Sequence, residues 1–90
     1  MITYVASAGT DEVISTGPAY LERIIVGNDV GSSVIEVSND PADGDGNVKV
    51  YLAGDKLLGV YEIGAEFNKG ICADLTNQTN TMFIWRPITA

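Results

Sequence analysis

Ninety residues make one domain, and a chain of that length buries only about 60–65% of the surface it exposes when unfolded, so the core is modest and help from partners matters. Hydrophobic residues make up 46% of the chain and charged ones 19%, a balance that points to apolar surface covered by other subunits. Twelve acidic residues against five basic ones give a net charge of −7, which opposes docking to nucleic acid or to an anionic membrane and excludes both as partners.

The chain opens on Met1-Ile2-Thr3-Tyr4-Val5, without the basic residues and long apolar run of a signal peptide, and no stretch reaches the ~18 apolar residues of a membrane span. The reading is a soluble, unprocessed protein. Short runs rich in Val, Ile, Tyr, Thr and Phe then recur about every 10 residues between Gly, Asn, Asp and Pro clusters. They predict strands over residues 2–7, 12–15, 19–27, 33–38, 48–52, 56–63, 70–75 and 81–88, and no segment keeps a helical period. The fold expected is all-β: a single-domain antiparallel β-sandwich or barrel of about eight short strands over residues 1–90. Residues 1–16 are read as an N-terminal arm reaching a neighbouring subunit.

Two of these runs are apolar on both faces, Leu21-Glu22-Arg23-Ile24-Ile25-Val26 and Met82-Phe83-Ile84-Trp85, as a strand is when one side packs on the core and the other is covered by a loop or a second subunit. They carry the interface expectation. In Val48-Lys49-Val50-Tyr51-Leu52 the alternation sends Val48, Val50 and Leu52 to one face and Lys49 and Tyr51 to the other. Ala53-Gly54-Asp55-Lys56 reads as a tight hairpin turn. Pro87 donates nothing to a sheet ladder, so its end of the last strand belongs at an edge or outside the sheet.

Histidine is absent, which removes catalytic triads, imidazole acid–base chemistry and the usual zinc sites. The single cysteine, Cys72, forbids an internal disulfide, suits a reducing cytosol and sits among apolar residues as a small core hydrophobe. No acid pair stands out for glycosidic chemistry, and no helix follows the glycines at 27–31 or 44–46 to make a phosphate loop. The reading is a protein that is not an enzyme and needs no cofactor.

Residues 39–47 form a long acidic loop in which Asp43, Asp45 and Asn47 alternate as calcium-loop oxygens do. Val48 stands where the turn glycine belongs and Gly54 where the bidentate glutamate belongs, so the EF-hand pattern fails and the trio is a weak calcium candidate beside the plainer reading of a solvated loop. Trp85 and Tyr4, Tyr20, Tyr51 and Tyr61 offer rings for sugar stacking, or simply populate strands and core. Arg23 and Arg86 lie in apolar strands, where a guanidinium pairs with a carboxylate or anchors an interface. The interface candidates are Tyr4, Tyr20, Arg23, Phe83, Trp85 and Arg86.

Taken in series, Gly17-Pro18-Ala19-Tyr20-Leu21-Glu22-Arg23-Ile24-Ile25-Val26-Gly27, Ser33-Val34-Ile35-Glu36-Val37, residues 48–52, Glu66-Phe67-Asn68-Lys69-Gly70-Ile71 and Met82-Phe83-Ile84-Trp85 resemble small β-sandwich virion proteins of tailed bacteriophages, over about residues 17–86. The 39–47 loop and the N-terminal segment depart from that pattern. The resemblance implies a virion protein with no catalytic residues: a capsid decoration (cement) protein on the outer surface of an icosahedral head. Its partners would be the major capsid protein and further copies of itself, as a trimer or dimer, with assembly in the host cytoplasm. The alternative is a receptor- or carbohydrate-binding module of a fibre or tail.

Overall fold

A computed structural model describes residues 1–27, 31–44, 46–55 and 57–88. These residues form eight strands and no helix: β1 (Ile2–Val5), β2 (Gly9–Ser15), β3 (Ala19–Val26), β4 (Ser33–Ser38), β5 (Val48–Gly54), β6 (Gly59–Phe67), β7 (Ile71–Thr76) and β8 (Thr81–Pro87). No helix among them is therefore long and apolar enough to cross a membrane. The strands pair antiparallel in two four-stranded sheets, ordered β1-β8-β3-β6 and β2-β7-β4-β5. Each strand of the first half thus has a partner in the second: β1 with β8, β2 with β7, β3 with β6 and β4 with β5. That is one long hairpin with its apex at the loop after β4, rolled so that alternate pairs fall into opposite sheets, which is the double-sheet jelly roll.

Between the sheets lies one core, built from Leu21, Ile24 and Val26 of β3, Ile35 and Val37 of β4, Phe67 of β6, Ile71, Ala73 and Leu75 of β7, and Phe83 and Trp85 of β8. Alternation sends every second side chain inward. In β3 the phase resets. Leu21 and Ile24 are three residues apart yet both fully buried, because the register with both neighbours shifts between Leu21 and Arg23. A bulge at that point lets a doubly apolar sequence keep its large side chains inside while Tyr20 and Ile25 sit half-buried on the far face.

Residues 1–16 contribute the first two strands. β1 and β2 are the edge strands of the two sheets, and Val5 and Ile14 sit in the core. The turn read at residues 53–56 is not a hairpin, since β5 and β6 belong to different sheets and do not pair; Lys56 lies outside the described residues. The chain crosses between sheets there, with Leu57 buried and its carbonyl accepting the Tyr61 hydroxyl at 2.7 Å. Pro87 closes β8 beyond the reach of β1, whose pairing ends with the Trp85 N–H donating to the Met1 carbonyl at 2.9 Å, so its missing N–H costs no ladder bond on that side.

One corner is fixed by close approach. Gly70, after the Phe67-Asn68-Lys69 turn, has φ +153°, and a Cβ there would come within 2.7 Å of the Ser15 carbonyl oxygen and 2.8 Å of Pro41 Cα. The 39–47 loop is tied to this corner by Asn39, whose amide donates to Asn68 Oδ1 at 2.7 Å and accepts from the Lys69 N–H at 2.9 Å.

Candidate functional site

The outward face of the β1-β8-β3-β6 sheet is where the sequence left apolar side chains unaccounted for, and the strand register shows how they meet. Tyr4 pairs with Met82, Met82 with Ile25, and Ile25 with Val60, so one cross-strand row of apolar side chains runs over all four strands. Along it Tyr4 is 54% exposed, Met82 37% and Val60 60%. The next row is Ile2, Ile84, Arg23 and Glu62, with Ile2 66% exposed. In that row Arg23 Nε donates to Glu62 Oε2 at 3.1 Å, both side chains well exposed. A third row brings the Arg86 guanidinium over the Tyr20 ring, 4.6 Å from its centroid, with Glu66 on the other side of Tyr20. Large contiguous apolar surface of this kind marks interaction sites on small proteins.

Four of the six interface candidates, Tyr4, Tyr20, Arg23 and Arg86, are gathered on this face. Phe83 and Trp85 are not. Both point inward into the core, Phe83 without exposed surface and Trp85 with its indole N–H donating to Thr3 Oγ1 at 2.9 Å. The sequence showed that β8 was apolar on both sides but not which side faced in. Ile2, Ile25, Val60, Met82 and Ile84 are the residues that sequence reading missed. Ile25, Met82 and Ile84 were visible as the second apolar face of two strands; Ile2 and Val60 become part of the surface only through pairing.

The opposite sheet is different in character. The 39–47 loop folds back over the outer face of β7: the Asp11 carboxylate accepts the Gly44 N–H at 2.8 Å, Ser38 Oγ donates to the Gly44 carbonyl at 2.6 Å, and the Asp74 carboxylate accepts the Asp11 N–H at 2.8 Å. Asp11 holds φ +54° within the β2 bulge, which aims its carboxylate at the loop. Asp40 turns its own loop by accepting the Ala42 and Asp43 N–H groups at 2.9 and 2.8 Å. These carboxylates therefore serve as backbone acceptors. Of the calcium candidates, Asp43 and Asn47 are exposed and Asp45 lies outside the described residues; among the described residues no group of three or more His, Cys, Asp or Glu is placed to hold a metal ion.

Cys72 is fully buried, but beneath this loop and not in the core, because β7 turns Ile71 and Ala73 inward and Cys72 the other way. Burial, followed by the negative charges of Asp11 and Asp74, pushes its thiol up to about 11.

The rings do not form a stacking platform. Tyr61 faces the core, Trp85 lies within it and Tyr51 is on the other sheet, while Tyr4 and Tyr20 stand two rows apart with Tyr20 already stacked on Arg86. No family model matches the chain, and comparison with curated proteins and with solved structures finds no match to either. The fold and surface define a jelly-roll domain with one apolar, register-built face opposite one acidic face.

Proposed function

We propose that this protein is a structural component of a virion: a decoration protein that binds the outer surface of an icosahedral phage head and stabilises it through protein–protein packing, without catalysis. The observation that carries the reading is the apolar row Tyr4–Met82–Ile25–Val60 across a whole sheet face. Such a face costs solubility unless an assembly covers it. Two further features support the reading. The jelly roll is an architecture that viral capsid and lectin domains share, although a fold alone does not choose among functions. The stretches that resemble phage sandwich proteins include the Phe67–Gly70 corner, which here is needed to seat Pro41 and Ser15 against Gly70.

The partners under this reading are the major capsid protein and further copies of the chain, and the place is the capsid surface. Quantitative mass spectrometry of purified particles tests it. Copies in simple ratio to the major capsid protein are expected, and absence, or a level far below that ratio, overturns the reading.

A further inference from the structure

We infer that the outer face of the β1-β8-β3-β6 sheet is covered by the same face of a second copy, in a two-fold dimer whose axis runs parallel to the strands midway between β8 and β3. The inference rests on the reading of that face as a docking surface and gives it to a second copy, so that contact with the capsid falls to the remaining surface of the dimer.

Charge decides for a second copy. The chain carries −7 overall, yet Arg23 and Arg86 point from this face together with Glu22, Glu62 and Glu66, so among the described residues its own charges come to only −1. Most of the acids sit elsewhere, with Asp11, Asp40, Asp43 and Asp74 grouped around the loop over the other sheet. Two copies meeting here bring nearly neutral surfaces together and keep their acidic sheets on opposite sides of the dimer. A strongly charged partner would find nothing here to complement.

Geometry makes the face self-complementary as well. Rotation about the stated axis lays β1 against the partner's β6 and β8 against the partner's β3. Tyr4 then meets the partner's Val60, and Met82 meets the partner's Ile25, so the apolar row closes on itself. Ile2 and Ile84 meet the partner's Glu62 and the partner's Arg23, whose aliphatic stems can cover them while the charged ends stay paired with each other. An isologous contact of this kind uses each residue twice and gives a closed dimer.

The test is sedimentation equilibrium of the purified chain up to about 200 µM, beside two variants on the face and one off it. The expected result is a dimer whose dissociation constant rises at least tenfold in Ile25→Lys and in Val60→Lys and is unchanged in Tyr51→Lys, on the other sheet. Val60 is on an edge strand and well exposed, so Val60→Lys keeps the fold even where Ile25→Lys does not. Added salt should tighten the dimer, because it screens repulsion between two copies of charge −7.

Crosslinking fixes the axis. A bismaleimide spanning roughly the 10 Å between packed sheets should join Tyr4→Cys of one copy to Val60→Cys of another in preference to joining two copies of one variant. A chain monomeric throughout the range, a dimer broken by Tyr51→Lys but not by Val60→Lys, or crosslinks favouring like with like would overturn the inference. A monomer that is nonetheless present at capsid ratio in particles overturns the dimer alone. A dimer absent from particles overturns the virion reading alone.

Discussion

The Asp11 carboxylate holds the backbone N–H of Gly44 at 2.8 Å, joining a bulge in β2 to a loop that begins more than twenty residues downstream. The same loop sits so close to β7 that a Cβ on Gly44 would fall 2.0 Å from Asp74 Oδ1 and 3.0 Å from the Ala73 carbonyl carbon. Gly44→Ala must push the loop off the sheet. It is expected to lower unfolding stability by about 2–3 kcal/mol, and Asp11→Ala by about 1–2 kcal/mol, measured by urea denaturation.

What the loop covers is Cys72, so the thiol reports on the loop. In the native protein at pH 8 it should not react with a disulfide reagent, and it should react fully once guanidinium unfolds the chain. In Gly44→Ala native-state reaction should appear at a rate set by loop opening. Rapid labelling of the unaltered native protein would contradict the burial described.

The same thiol gives a pH dependence with a definite sign. Its folded pKa is pushed up to about 11 from an ordinary value near 9, so its contribution is fully present below pH 9. Above that the unfolded chain loses the proton while the fold keeps it. Stability therefore falls as pH rises from about 9 through 11. Cys72→Ala should remove that part of the alkaline loss, as read from denaturation midpoints at stepped pH.

Phe83 and Trp85 were legible as part of a hydrophobic strand but not as core, and the difference has a measurable form. Phe83→Ala should cost about 3–5 kcal/mol through the cavity it leaves, failing as a folded protein before any effect on association can be read. Glu62→Gln, on the surface of the same sheet, breaks an ion pair between side chains 42% and 70% exposed and should change stability by less than about 1 kcal/mol.

That contrast shows where sequence reading stops. All eight strands could be placed because β-branched and aromatic runs alternate with turn residues, and the match is within a residue or two for β1, β3, β4, β5, β7 and β8. The sixth was displaced, read at 56–63 and found at Gly59–Phe67, because Leu57 and Leu58 look like strand residues when one plugs the gap between sheets and the other lies exposed. Which strands share a sheet depends on pairing between distant segments, which local pattern does not carry. The apolar row is a product of that pairing. Ile2 and Val60 lie far apart in the chain, and neither is unusual in its own strand. The bulge at Glu22–Arg23 likewise shows in the sequence only as an apolar run too dense for one face.

Rolling one hairpin into two sheets also sets an order in time. Closing a loop costs more entropy as the loop lengthens, so β4 and β5 can join early across the 39–47 loop, whereas Ile2 finds Ile84 only after nearly the whole chain is in place. Tyr4, at one end of the apolar row, arrives with that last strand. A chain still folding or fresh from the ribosome therefore presents an incomplete apolar row, completed only when its two ends have met.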